Sequence, residues 1–129
     1  MSNDLAAFRP DDIFLIYGDR PRCFFTLLHQ WVDAHHILGR GFQAGVRKSN
    51  PDREIFSSPY NFAPLQRDVH NGPLRDHPLV RLVLLDKAAE KVNEAVRRGS
   101  YEQTELDLRF LSYAEEWRQD VIKHYLPEL

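Results

Sequence analysis

The strongest structural signals in the chain lie in residues 78–129, PLVRLVLLDKAAEKVNEAVRRGSYEQTELDLRFLSYAEEWRQDVIKHYLPEL. In its first half, apolar residues recur every three or four positions, at Leu82, Leu85, Ala89, Val92 and Val96. This spacing places them on one side of an α-helix. Gly99 follows two arginines and suits the left-handed conformation that ends many helices. The pattern predicts a helix that ends near residue 98.

The second half predicts another helix. Ser100 and Gln103 match a capping box, in which side chains satisfy the free N–H groups of a first helical turn. Apolar residues then continue at helical spacing, at Leu106, Phe110, Ala114, Trp117, Val121 and Tyr125, and Leu111, Tyr113 and Ile122 widen this stripe. Pro127 blocks continuation. A connection of about two residues makes the helices antiparallel neighbours, so we expect a helical hairpin.

Composition limits the class of protein and its partners. The 129 residues are 43% hydrophobic and 12% aromatic, which is typical of one folded domain. The net charge is −2, and residues 101–129 carry three basic and seven acidic side chains, so we expect no nucleic-acid partner. The apolar runs are too short to cross a membrane. Cys23 is the single cysteine, which excludes an internal disulfide. With no signal-like segment, we expect a cytoplasmic protein without a cofactor.

We predict that residues 1–129 form a single helical domain. Residues 1–20 are an N-terminal segment, whose apolar run at 13–17 suggests a strand or a buried helical turn; we expect an irregular or single-turn segment. Residues 21–47 predict a helix followed by a glycine-rich turn. The helix would place Phe24, Leu28, Trp31, His35 and Leu38 on one face. The predicted fold class is therefore all-α, with three main helices, and the alternative is a helical fold with a two-stranded edge.

Residues 48–77 have no clear period and are rich in proline and aromatic residues. A structureless segment of this length is unusual inside a compact domain. It would wrap the helices, lie along a partner or act as a lid. We predict that it is an extended loop that binds another protein chain. The predicted contacts are Phe56, Tyr60, Phe62 and Leu65, with Arg40 and Arg47 as charged anchors.

A metal site is an alternative use of the predicted helix within residues 21–47. His29, Asp33 and His36 are spaced i, i+4 and i+7, which places them within one sector of a helix. Two imidazoles and a carboxylate are suitable ligands for Zn²⁺ or Fe²⁺. His70, His77 or Glu116 would have to complete or orient the set. The simpler interpretation is a solvated polar face with a His–Asp hydrogen bond.

A second alternative rests on Arg118 and His124. Their Arg-x5-His spacing, late in a helix, loosely resembles the Arg-x4–6-His motif of HEPN-type ribonucleases. In that family the pair acts on the RNA backbone across a dimer. The resemblance covers these two residues and the helical class, and it implies a helical ribonuclease.

The chain holds no complete catalytic constellation, and it has apolar residues on more than one face of its predicted helices. Phe25 and Val32, for example, lie off the main stripe of the helix predicted in residues 21–38. The main prediction is therefore a non-enzymatic adaptor or a small subunit of a larger assembly, homo- or hetero-oligomeric. The metal-dependent protein and the ribonuclease are the alternatives.

Overall fold

The computed structural model of the chain describes residues 6–39, 53–72 and 77–126. In chain order the elements are α1 (Pro10–Tyr17), β1 (Val32–His36), two 3₁₀ turns (Arg53–Ser57 and Pro59–Asn61), β2 (Phe62–Gln66), α2 (Arg67–His70), α3 (Pro78–Arg98) and α4 (Glu105–Tyr125). The predicted all-α class is wrong, because β1 and β2 form an antiparallel two-stranded sheet. The fold is mixed, with helices as its main element. None of the helices in the described ranges is long and apolar enough to cross a membrane.

The first predicted helix of the C-terminal stretch is α3, and local chemistry sets both of its ends. Pro78 occupies the first turn, where its missing N–H is not needed, and the His77 ring accepts a hydrogen bond from the Leu79 N–H. At the other end, Gly99 has φ 82°, a left-handed conformation that costs other residues free energy. The predicted end of this helix is confirmed.

The predicted start of the second helix is wrong. Thr104 and Asp107 form the capping box of α4, in place of Ser100 and Gln103, so the connection is longer than two residues. The Ser100 hydroxyl instead donates a hydrogen bond to the Ala95 carbonyl of α3. Both residue pairs satisfy the local sequence rule. Tertiary contacts of Asp107 decide between them, because its buried carboxylate also accepts hydrogen bonds from distant residues.

The buried faces of the two long helices differ in how well the sequence predicts them. In α4 the central predicted residues are buried: Phe110, Ala114, Trp117 and Val121. Tyr125, at the end of that stripe, is exposed. In α3 the predicted Leu85 and Val92 are buried, together with Pro78, Leu84, Ala88 and Ala95. The predicted Leu82, Ala89 and Val96 are partly buried beside them. The buried face of α3 is wider because this helix contacts α4, α1, a 3₁₀ turn and β2.

The predicted helix over residues 21–38 does not form, because its second half is strand β1. The register runs from Val32 opposite Gln66 to His36 opposite Phe62. Pro64 lies inside β2, where a proline is normally excluded from a central position. Its carbonyl accepts a 2.9 Å hydrogen bond from the Phe24 N–H, on the side away from β1. The missing N–H of Pro64 would point to that same side, so the β1–β2 ladder loses no bond.

Two further segments are more regular than predicted. The described part of residues 48–77 contains both 3₁₀ turns, β2 and α2, and it is therefore not an aperiodic loop. The apolar run at residues 13–17 belongs to the eight-residue helix α1. Asp11 and Asp12 lie in its first turn, where negative charge stabilises a helix. Gly18 ends α1 with φ 78°.

Candidate functional site

The residues predicted to bind a partner form part of the core. Phe56, Tyr60, Phe62 and Leu65 are all buried by the chain itself. The Phe56 ring meets the Tyr113 ring edge-on, with 5.6 Å between centroids. These four side chains therefore brace the helices internally and offer no surface to a partner. The two predicted charged anchors, Arg40 and Arg47, lie outside the described residues.

The proposed metal ligands are not brought together as predicted. His29 lies in the loop before β1, and Asp33 and His36 are on β1 itself. Because neighbouring residues of a strand point to opposite faces, two residues three positions apart do so as well. Asp33 instead contacts the His70 ring, at 3.3 Å, and the Arg67 guanidinium, at 3.7 Å. Within residues 6–39, 53–72 and 77–126, no group of three or more His, Cys, Asp or Glu side chains could hold a metal ion.

Arg118 and His124 also lie apart on α4. Six residues of an α-helix rotate the direction of a side chain by roughly 120° net, so the two point to different sides. The Arg118 guanidinium pairs with Asp86 of α3, at 2.5 Å, and with Glu115. His124 is exposed and packs edge-on against Tyr125. Arg118 therefore has a structural role, in joining α3 to α4.

The exposed apolar side chains are concentrated in the loop between α1 and β1, at residues 24–31. Trp31 is 74% exposed, Leu27 is 65% exposed and Leu28 is 49% exposed. Phe25 is exposed to a similar degree. Single exposed apolar residues are ordinary on protein surfaces, but clusters of them mark binding surfaces. The four large apolar side chains of this short loop form such a cluster.

The buried thiol of Cys23 organises this loop. The N–H groups of Phe25 and Thr26 point to its Sγ atom at 3.4 and 3.5 Å. Two 2.8 Å backbone hydrogen bonds close the loop, from the Cys23 N–H to the Leu28 carbonyl and from the Leu27 N–H to the Cys23 carbonyl. Burial raises the pKa of the Cys23 thiol, but hydrogen bonds from Thr26, Gln66 and Phe25 outweigh it, so the pKa lies below its usual value. The thiol serves here as a hydrogen-bond acceptor.

Two residues of the loop are held in the left-handed backbone region. Leu27 has φ 65° and Trp31 has φ 57°. For a bulky L-residue this conformation costs about 1–2 kcal/mol. Neither side chain is buried, so packing does not offset that cost. Strain of this kind is concentrated at functional sites in proteins, which makes the loop the first candidate for function.

The exposed apolar area continues from the loop onto α3. Phe25, His77, Leu79, Val80 and Val83 line a shallow cleft of about 340 Å³. We use the term apolar surface for six exposed residues of the loop and α3: Phe25, Leu27, Leu28, Trp31, Leu79 and Val83.

A charged residue lies at the Trp31 end of the apolar surface. The Arg67 guanidinium carbon is 5.9 Å from the centre of the Trp31 ring, within the range of a cation–π contact. The Arg67 N–H donates a 2.9 Å hydrogen bond to the Trp31 carbonyl. These contacts position the indole, although most of its area remains exposed.

Sequence reasoning missed this surface because it assigned the loop to a helix. In that helix Leu28 and Trp31 would share a buried face with Phe24, whereas only Phe24 of the three is buried. The sequence contained one signal for this surface, namely apolar residues on more than one face of the predicted helix. Phe25 was predicted to lie off the buried stripe, and it is exposed.

A second feature lies on the other side of the same loop. A cleft of about 460 Å³ lies between the end of α1, residues 20–27 and the outer face of α3. It is lined by thirteen residues, of which five are basic: Arg20, Arg22, Lys87, Lys91 and Arg98. We call it the cationic cleft.

Comparison of the chain with protein-family models, with curated proteins and with solved structures finds no match.

Proposed function

We propose that this protein is a non-enzymatic adaptor or small subunit that binds a different protein chain through the apolar surface. The observation that carries the proposal is the loop at residues 24–31, which exposes Leu27 and Trp31 in left-handed conformations. Burial of these two side chains within the chain does not offset the backbone strain at their positions. Burial against a partner would give these side chains a favourable role.

The composition of the surface supports protein recognition. Tryptophan and arginine are the residues that most often dominate the free energy of protein association, and Trp31 and Arg67 lie side by side. Phe25 of the loop and Leu79, Val80 and Val83 of α3 line a cleft that could take one apolar side chain. The expected partner is therefore a protein segment with an apolar anchor for this cleft and a carboxylate that reaches the exposed Arg67.

Two other aspects belong to the same proposal. Cys23 is a free, buried thiol, which suits a reducing compartment such as the cytoplasm. Arg67 already has Asp33 at 3.7 Å, so a carboxylate of the partner would share a guanidinium that is partly neutralised. The apolar contacts would thus supply most of the affinity, and the charge would orient the partner.

A matched pair of leucines tests the proposal. Leu28, on the apolar surface, is 49% exposed, and Leu108, on α4, is 54% exposed. The tagged full chain and its Leu28→Ser and Leu108→Ser variants would be purified from the native host, and the proteins bound to each identified. We expect one partner to be retained by wild type and Leu108→Ser and to be lost from Leu28→Ser. Thermal melts would establish that all three are folded.

The position of the contact would be verified with a photo-crosslinking amino acid in place of Trp31 or Leu108. Crosslinks to the partner from position 31 alone would support the proposal. Equal retention of the partner by both serine variants would refute it. If light scattering showed that the protein associates only with itself, the partner would be a second copy of the chain and not a different protein.

A further inference from the structure

The cationic cleft adjoins the apolar surface at Leu27, which belongs to both, but the cleft has its own chemistry. Its volume of about 460 Å³ is within the range of small-molecule sites, roughly 300–1,000 Å³. Two separate parts of the chain supply its walls. Arg20 and Arg22 come from the segment after α1, whereas Lys87, Lys91 and Arg98 come from the outer face of α3. Tertiary folding has therefore brought like charges together.

The charges of the cleft are not neutralised within the described residues. Among the described residues, no ion pair involves any of the five cations of the cleft. Of these five, Arg22 alone makes a hydrogen bond there, at 3.0 Å to the Leu27 carbonyl. Glu90 and Glu94 also line the cleft and reduce its positive charge. Five cations and two carboxylates leave an excess that matches an anion with two or three negative charges. Like charges that line one cleft repel one another, and a bound anion would offset that repulsion.

The remainder of the lining is apolar or aromatic. Ile16, Tyr17, Phe24 and Leu27 contribute to it, and Cys23 is fully buried at its base. The Tyr17 hydroxyl is buried and has no hydrogen-bond partner among the described residues.

We propose that the cationic cleft binds a small organic phosphate of the nucleoside diphosphate class. Arginine forks and lysine ammonium groups bind phosphate oxygens, and here they rise from both walls. A planar base has an apolar floor to lie on, and the carboxylates of Glu90 and Glu94 can accept hydrogen bonds from ribose hydroxyls. A cleft of this size favours a small molecule over a polymer.

Three probes test each part of this assignment by isothermal titration calorimetry on the full chain. ADP carries both the ring and the phosphates, adenosine carries the ring alone, and pyrophosphate carries the phosphates alone. We expect ADP to bind about tenfold or more tightly than either fragment, since each fragment loses one set of contacts. Pyrophosphate binding as tight as that of ADP would overturn the proposal, because it would indicate a cationic surface without a ring site. No measurable binding of ADP would overturn it as well.

Consecutive arginines at the end of α3 provide the matched control. Arg97 and Arg98 are both exposed and both lie in the last turn of the helix, but only Arg98 lines the cleft. Arg98→Ala should weaken ADP binding about tenfold, and Arg97→Ala should change it by less than about twofold. Equal losses in the two arginine variants would show that only general charge matters and would refute the site.

The Leu28→Ser variant separates this proposal from the proposed function. Leu28 does not line the cationic cleft. Leu28→Ser should therefore lose the protein partner and retain ADP, whereas Arg98→Ala should do the reverse. Loss of ADP binding in Leu28→Ser would overturn the assignment of two separate sites.

Discussion

The Ser58 hydroxyl donates a 2.7 Å hydrogen bond to the buried carboxylate of Asp107, which lies 49 residues later in the chain. The same carboxylate accepts hydrogen bonds from the Tyr101 hydroxyl, at 2.6 Å, and from the Thr104 N–H, at 3.0 Å. Burial and the hydrogen bond to Asp107 both raise the pKa of Tyr101, so this phenol remains a donor. The network joins a 3₁₀ turn, the connection between the long helices and the first turn of α4.

Asp107→Ala should therefore destabilise the fold strongly. It leaves the buried hydroxyls of Ser58 and Tyr101 without an acceptor, at about 1–3 kcal/mol for each. We expect the free energy of unfolding to fall by about 3 kcal/mol or more, as measured by urea titration. Glu105, an exposed acidic residue in the same helical turn, is the control. Glu105→Ala should cost no more than about 1 kcal/mol through the helix dipole. Equal effects of the two substitutions would contradict the network.

Phe56→Ala and Trp31→Ala separate the core from the apolar surface. Phe56 is fully buried, so its truncation should cost about 3–5 kcal/mol of unfolding free energy, as for other core phenylalanines. Trp31 is larger but exposed, and Trp31→Ala should change stability by less than about 1 kcal/mol. Thermal and urea denaturation measure both. A Phe56→Ala variant as stable as wild type would mean that this segment is not a brace.

Glycine substitutions at neighbouring leucines test the strained loop. Leu27 has φ 65°, and a glycine there would remove about 1–2 kcal/mol of backbone strain from the folded state. The greater conformational entropy of glycine would also stabilise the unfolded state by about 0.5–1 kcal/mol. Leu27→Gly should therefore leave stability unchanged or raise it by up to about 1 kcal/mol. Leu28 is not in the left-handed region, so Leu28→Gly should destabilise by about 0.5–1 kcal/mol. Denaturant titration would give the two signs, and equal losses at both positions would argue against the left-handed conformation of Leu27.

His36 predicts a dependence of stability on pH. Its ring donates a 3.0 Å hydrogen bond from Nε2 to the Ala6 carbonyl and stacks on Phe8 with 4.2 Å between centroids. Burial lowers the pKa of His36 below its usual 6.5, and the nearby His70 lowers it further. The hydrogen bond to the Ala6 carbonyl acts in the opposite direction and is outweighed. As the pH falls below 6.5, the unfolded chain takes up a proton at this position before the folded chain does. The contribution of His36 to the free energy of unfolding is therefore fully present above pH 6.5 and declines as the pH falls below it.

The variant His36→Gln lacks this titration. Between pH 7 and about pH 5, the stability of wild type should fall more steeply than that of His36→Gln. His124→Gln, which changes an exposed histidine on α4, should retain the wild-type slope. Parallel pH profiles for wild type and His36→Gln would exclude a linked proton at His36.

The two long helices could be predicted from the amino-acid sequence, because their signals are local. Apolar residues at helical spacing persist through both segments, Pro78 suits a first turn, and Gly99 suits a left-handed end. Helical hydrogen bonds join residues four positions apart, so such a segment contains most of the information for its own structure. The burial of Phe110, Trp117 and Val121 follows from the same periodicity.

The sheet, the cap of α4 and the two candidate sites depend instead on contacts between distant segments of the chain. β1 pairs with β2 about thirty residues away, and a five-residue strand has too short a pattern to be told from a helix by its period. Thr104 replaced Ser100 as the cap because Asp107 has buried partners elsewhere in the chain. Whether Trp31 is exposed, or whether Arg22 lies near Lys87, depends on how distant segments pack. Exposure and proximity are properties of the assembled chain, and no local pattern of residues contains them.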